Sequence, residues 1–221
     1  MSVWALLVAA GAGERLGEER PKAFVRLGEL PLLAESLRRL EESSWIDAIV
    51  IAVPASWEEP AILLAEELSA TKVVAAVTGG ATRADSVRLA LVEVPDDALV
   101  VLVHDAARPL ISDELIERVL APLSEGWDGV VPGLAVVDTL KRVRVDAIVE
   151  TVDRTGLYGA QTPQAFLASV LRRAYAAEPS AATDCAALVE AMGGRVTIVE
   201  GDPRLVKVTT KADLDLVASW L

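Results

Sequence analysis

The sequence predicts an α/β protein built on a doubly wound, mostly parallel sheet, and three observations predict it. Apolar runs of strand length recur at Val3–Val8, Ala48–Val53, Val73–Val77, Leu99–Val103 and Gly129–Val131. They are near-continuous rather than alternating, which is the pattern of strands covered on both faces. Between them lie stretches with helical spacing, and strand–helix alternation builds βαβ units with right-handed crossovers. With 221 residues, 52% of them hydrophobic, the chain can bury a full core, so a single domain over residues 1–221 is expected.

In chain order, the strand Val3–Val8 runs into a glycine loop, Ala9 to Gly17. Leu33, Leu37 and Leu40 then mark one face of a helix over Leu32–Leu40. The strand Ala48–Val53 precedes a helical pattern at Ile62–Leu68, and Val73–Val77 precedes one at Ser86–Val94. Leu99–Val103 is followed by a helix over Glu114–Leu123, and Gly129–Val131 is the next strand. The alternation breaks after Pro132. Val136–Val152 is rich in β-branched and charged residues and reads as two half-polar strands about Asp146. A projecting hairpin of this kind, an arm at about 136–155, is unstable alone and is expected to pack on a second subunit. Helices return at Pro163–Ala177 and Thr183–Met192, the second ended by Gly193-Gly194. A strand at Arg195–Val199, a short strand carrying Lys207 within Val206–Thr209, and a helix from about Lys211 complete the chain.

The formal net charge is −12. That argues against general nucleic-acid binding and against anionic membrane surfaces, which want basic faces. The longest uncharged apolar stretch, Val3 to Gly13, has 11 residues, too short for a membrane span. No basic residue precedes it, so it is not read as a signal peptide. One cysteine, Cys185, excludes an internal disulfide and suits the cytoplasm.

Five segments carry candidate chemistry. In the first, Ala9-Ala10-Gly11-Ala12-Gly13 leads to Arg15 and, beyond it, Pro21-Lys22. Glycines bring backbone N–H groups against phosphate oxygens, and Arg and Lys neutralise charge there. In an acidic chain such local cations point to an anionic ligand such as a nucleoside triphosphate. A plain strand–helix turn is the bland alternative. A dinucleotide site is a weaker one, because no acid closes the second strand before Glu58. In the second, Gly79-Gly80-Ala81-Thr82-Arg83-Ala84-Asp85-Ser86 opens a helix, which serves equally as an anion-facing turn or as an ordinary cap. In the third, His104-Asp105-Ala106-Ala107-Arg108-Pro109 follows an apolar strand. A carboxylate at a strand's carboxyl end is placed to hold Mg²⁺ bridging phosphates, or else pairs with an arginine inside a turn. His104, the single histidine, reads as structural. The fourth comprises Asp138-Thr139 and Thr151 to Leu157, flanking the hairpin, and the fifth is Val206-Lys207-Val208-Thr209, whose lysine has the alternative of snorkelling to solvent.

In order and spacing these segments resemble the 2-C-methyl-D-erythritol 4-phosphate cytidylyltransferases of the non-mevalonate isoprenoid pathway. The resemblance runs from the Ala-Ala-Gly-x-Gly-x-Arg loop and Pro-Lys, through Arg-x-Asp-Ser-Val and His-Asp-Ala-Ala-Arg-Pro, to Asp-Thr-x-Lys, Val-Asp-Arg-x-Gly-Leu, Gln-Thr-Pro-Gln and Lys-Val-Thr. It implies a Rossmann-like nucleotidyltransferase fold, a Mg²⁺-dependent transfer of CMP from CTP to methylerythritol phosphate, and a homodimer joined by the hairpin arm. It implies that Arg15 and Lys22 stabilise the transition state at the α-phosphate and that Arg154 and Lys207 position the acceptor. Ala9, Ala10, Gly11, Ala12, Gly13, Gly80, Asp85, Ser86 and Ala106 would hold the nucleotide, Arg108 and Thr139 would help bind the acceptor, and Asp105 would bind the metal. The chain departs from the family's frequent Thr-Asp-Glu-Ala at Thr183-Asp184-Cys185-Ala186. Two other readings remain: a cytidylyltransferase for another polyol phosphate such as ribitol 5-phosphate, and a non-catalytic nucleotide-binding protein on the same fold.

Overall fold

A computed structural model describes residues 2–11, 13, 20–177 and 184–221. Strand β1 (Val3–Val8) is followed by a 3-10 turn at Lys22–Phe24 and a small ribbon, β2 (Arg26–Leu27) with β3 (Leu30–Pro31). Then come α1 (Leu32–Glu42), β4 (Ala48–Val53), α2 (Glu58–Glu67), β5 (Val73–Thr78), α3 (Arg83–Leu91), β6 (Val100–Asp105) and α4 (Asp113–Leu120). The second half holds β7 (Gly129–Ala135), β8 (Leu140–Arg144), β9 (Ala147–Val152), β10 (Tyr158–Ala160), β11 (Gln164–Leu167), α5 (Ala168–Ala176), α6 (Cys185–Ala191), β12 (Val196–Glu200) and α7 (Lys211–Ala218).

The central sheet runs β5-β4-β1-β6-β11-β7, with β12 on the far edge of β7 and β10 continuing beyond β11 along the same edge of β7. Neighbours are parallel except where β10 and β11 run antiparallel. The near-continuous apolar runs have a direct cause: alternate residues of each strand feed opposite layers. Leu7, Ile51 and Leu102 pack with Leu33 and Leu37 of α1 and with Ile116 and Val119 of α4. Leu6, Val50 and Val101 pack on the other face with Val87 of α3, Leu171 of α5 and Val189 of α6. A chain whose strands are buried on both faces has no polar face to alternate.

Helix starts follow local rules. Pro31 precedes α1, its fixed φ suiting a helix entry. Thr82 with Asp85, and Thr210 with Asp213, form capping boxes at α3 and α7, while Ser112 and Asp184 cap α4 and α6.

Two expected elements are corrected. The helix expected over Pro163–Ala177 starts at Ala168, because Gln164–Leu167 pairs with both β6 and β7. A short apolar run joined to a helix carries no period that separates strand from helix. The segment Val206–Thr209 is not a strand; it is held by Val208 N–H donating to the Ala107 carbonyl at 2.8 Å. The expected hairpin is present: β8 and β9 pair only with each other among the described residues, turning at Val145 and Asp146, and both strands are largely exposed. No helix among the described residues is long and apolar enough to cross a membrane.

Candidate active site

The carboxyl ends of β1, β5 and β6 open into one cleft of about 320 Å³. This is where an open α/β sheet binds its ligand, since loops leave the strands on that edge in diverging directions. Asp105, the last residue of β6, stands beside Val8 in register and lies at the floor of the cleft. Its carboxylate is buried, with 9% of the side chain exposed, and each oxygen meets a cation. Arg83 Nε donates to Oδ1 at 2.8 Å, and Lys207 Nζ donates to Oδ2 at 2.7 Å. Burial alone would push this carboxyl up; Arg83 and Lys207 outweigh burial and hold it well below the usual carboxylate range. A buried anion is retained only when paired in this way.

The cleft walls are backbone and small side chains: Ala9, Ala10 and Gly11 from the end of β1, and Gly80 and Ser86 from the turn into α3. Close approach explains the glycines. A Cβ on Gly80 would lie 2.2 Å from the Asp85 Cβ, so only glycine lets the turn lie against the helix. Gly13 has φ +75°, and a Cβ there would lie 2.6 Å from the Lys22 Cβ. Gly13 therefore lies against Lys22, which lines the cleft. Ser86 Oγ accepts from Gly80 N–H at 3.1 Å and donates to the Thr82 carbonyl at 3.0 Å, stiffening the turn.

Beneath the floor, His104 is fully buried. Thr162 Oγ1 accepts the Asp105 backbone N–H at 3.1 Å and lies 3.1 Å from His104 Nδ1. The hydroxyl has one proton, which goes to Nδ1. Nε2 then carries the ring proton and donates to the Arg108 carbonyl at 3.0 Å. The neutral imidazole thus joins the backbone of Asp105 to that of Arg108. Burial pushes its pKa down to about 4. The structural reading of His104 matches this geometry.

Of the residues singled out from sequence, Ala9, Ala10, Gly11, Lys22, Gly80, Ser86, Asp105, Ala106 and Lys207 line the cleft together. Ala12 and Arg15 lie outside the described residues. Gly13 supports Lys22 from behind, and Asp85 is engaged by the α3 cap, accepting from the Thr82 N–H and hydroxyl. Arg108 is tied to the carbonyls of Leu205 (2.6 Å) and Ala160 (3.4 Å) and does not line the cleft. Thr139 and Arg154 are exposed beside the hairpin and do not line the cleft of their own chain. Sequence reasoning missed Arg83. The alternative that Asp105 pairs with an arginine inside a turn named no partner, and the guanidinium on Asp105 comes from α3.

The site electrostatics predict a pH dependence. The native state holds His104 neutral down to about pH 4, while an unfolded histidine takes up its proton near 6.5. The unfolded chain therefore binds more protons between these values. Stability is fully present above pH 6.5 and falls as pH drops, by roughly 2 kcal/mol between pH 7 and pH 4.5. Urea unfolding at several pH values checks this, and His104→Gln should flatten the slope. A wild-type curve with the same slope as His104→Gln contradicts it.

Comparison with known proteins agrees in length and in fold. Residues 3–221 match the sequence pattern of the 2-C-methyl-D-erythritol 4-phosphate cytidylyltransferase family. The chain is 48% identical over 221 residues to the protein of that name from Nocardia farcinica, covering 100% of this chain and 94% of that one. It is similar to the crystal structure of 2-C-methyl-D-erythritol 4-phosphate cytidylyltransferase from Thermus thermophilus, with TM-score 0.81, 32% identity and coverage of 100% and 98%. It is also similar to that of 4-diphosphocytidyl-2C-methyl-D-erythritol synthase from Anaerococcus prevotii, with TM-score 0.84, 25% identity and coverage of 99% and 97%. By sequence over its whole length and by fold, the chain belongs to the 2-C-methyl-D-erythritol 4-phosphate cytidylyltransferase family.

Proposed function

We propose that this chain transfers CMP from CTP to 2-C-methyl-D-erythritol 4-phosphate, giving 4-diphosphocytidyl-2-C-methyl-D-erythritol and pyrophosphate. The observation that carries the reading is the buried Asp105 carboxylate, flanked by Arg83 and Lys207, at the floor of a cleft walled by glycine-rich backbone. In the reaction a phosphate oxygen of the acceptor forms a bond to the α-phosphorus, and the bond from that phosphorus to the β-phosphate oxygen breaks. The acceptor is a phosphate monoester, already ionised near neutral pH, so its oxygen needs no general base. The chain has to align it and neutralise charge. Lys22 and Arg15 take the charge that develops at the α-phosphate. The backbone of Ala9 to Gly13, with Gly80, Asp85, Ser86 and Ala106, seats the nucleotide. Lys207 and Arg154 position the acceptor phosphate, helped by Arg108 and Thr139.

Magnesium fits the donor set. Asp105 is the one carboxylate lining the cleft among the described residues. Each of its oxygens accepts one protein hydrogen bond and keeps a lone pair. Mg²⁺ is commonly held by one or two carboxylates plus substrate phosphates and water, and Asp105 would supply that carboxylate. Bound there, the metal would neutralise charge on the triphosphate oxygens.

Residues 1–221 act as one domain, and the arm at about 136–155 joins two chains in a homodimer. Val143, Ile148 and Val149 on the arm are 56%, 64% and 52% exposed, and a lone two-stranded ribbon is marginal in water. Across the dimer, Arg154 and Thr139 reach the partner's acceptor site, since they do not line their own cleft. One fully buried cysteine suits a cytoplasmic enzyme.

Incubation with CTP, Mg²⁺ and either methylerythritol phosphate or ribitol 5-phosphate tests the activity by pyrophosphate release. Methylerythritol phosphate should be preferred on the order of a hundredfold in kcat/KM. Preference for ribitol 5-phosphate would move the chain to another polyol phosphate, and no pyrophosphate with either would leave a nucleotide-binding protein without catalysis.

The shared site is tested by mixing two inactive variants, Lys22→Ala and Arg154→Ala, under conditions of subunit exchange. A mixed dimer has one site with both residues intact, so up to about a quarter of wild-type activity should return, as half the dimers are mixed and each has one good site of two. Proven exchange without recovery contradicts the arrangement.

A further inference from the structure

The reaction proposed above makes no use of Cys185, yet the thiol lies one contact behind the floor of the cleft. Arg83 projects from the first residue of α3 and spans two neighbours. Its Nε donates to Asp105 Oδ1 at 2.8 Å, and its Nη1 donates to Cys185 Sγ at 3.4 Å. Tyr175 Oη, from α5, lies 3.2 Å from the same sulphur. Cys185 is fully buried and Tyr175 is 6% exposed, so this contact sits in the core layer formed by α3, α5 and α6.

We propose that Cys185 is a positioning residue: its sulphur anchors the Arg83 guanidinium, and Arg83 in turn aims the Asp105 carboxylate into the cleft. The geometry supports each link. A guanidinium is a rigid plane, and one hydrogen bond leaves it free to swing, whereas donors on separate nitrogens fix its orientation. The sulphur is itself fixed. Cys185 opens α6, whose cap Asp184 accepts from Ala187 N–H and from Gln164 Nε2 at 2.9 Å each. Gln164 lies on β11 in register with Val103 of β6, two residues from Asp105. The sulphur and the carboxylate are therefore referenced to the same strand, and Arg83 bridges them. The thiol is also uncharged near neutral pH, because burial pushes it up. Asp105 is the one carboxylate that pairs with Arg83 among the described residues.

This inference rests on the proposed cytidylyl transfer for its effect on rate, but the anchoring is measurable without substrate. Cys185→Ala, Cys185→Val and Cys185→Ser are made in the wild-type and Arg83→Met backgrounds. Cys185→Val keeps apolar volume without an acceptor and serves if Cys185→Ala does not fold; Cys185→Ser keeps an acceptor. With Arg83 present, Cys185→Ala or Cys185→Val should lower kcat about tenfold with KM for CTP changed less than about twofold, and Cys185→Ser should stay within about threefold of wild type. With Arg83→Met, none of them should lower turnover further. An equal loss in both backgrounds, or no loss in either, overturns the proposal. The Arg83 Nε–H resonance in ¹⁵N spectra of the ligand-free protein is the second readout. It should persist in Cys185→Ser and broaden through faster exchange in Cys185→Ala and Cys185→Val. An unchanged resonance in all three overturns the anchoring. If the wild-type chain turns over neither polyol phosphate, the functional reading fails, and the resonance still decides whether Cys185 holds Arg83.

Discussion

The structure turns on one buried anion. Asp105 ends the central strand β6 with its carboxylate almost out of reach of water. An unpaired carboxylate there would be costly enough to protonate or to pull the strand end open. Pairing it demands cations from elements remote in sequence, Arg83 from α3 and Lys207 from the segment before α7. The anion thus brings three parts of the chain to one point. Each supplies another piece of the cleft: the glycine turn before α3, the strand ends of β6 and β1, and the C-terminal segment that packs Val208 against Leu27, Leu32 and Leu110.

The same constraint explains why the site is built in layers. Asp105 and Arg108 share a backbone turn whose geometry is set by neutral His104 and by Thr162. The lysine partner is placed by Val208 bonding to Ala107 and by the Thr210–Asp213 cap of α7. Asp213 is held near 2 by the Thr209 hydroxyl, so this cap stays charged through the physiological range. Arg83 is therefore aimed from α3 and Lys207 from a segment pinned at both ends, as preorganised charge stabilisation requires.

Much of this was legible in the sequence, and the parts that were not share a physical reason. β1 and β4 were legible to the residue, because burial on both faces leaves an unbroken apolar run. Lys22 stood out beside a glycine loop and Asp105 at a strand's carboxyl end, while Lys207, read within a short strand, was singled out by the resemblance. β11 did not, since Gln164–Leu167 is too short to show a period and runs straight into a helix. Val206–Thr209 has the alternation of a strand but takes its hydrogen bonds from a turn. Arg83 was hidden by its setting. An arginine in the first turn of a capped helix reads as solvated, and its partner lies 22 residues away on another element. Thr139 and Arg154 were singled out by the resemblance alone, and neither lines the cleft of its own chain.

The central role of the buried charge is tested most directly by Asp105→Asn, which keeps the shape of the side chain and removes its charge. Turnover with CTP and methylerythritol phosphate is measured together with far-ultraviolet circular dichroism and urea unfolding. The expected result is a native spectrum, stability lowered by about 3 kcal/mol or more as Arg83 and Lys207 lose their common partner, and turnover reduced on the order of a hundredfold or more. Near-wild-type turnover and stability in Asp105→Asn would contradict it, because the charge on which the site is organised would then be dispensable.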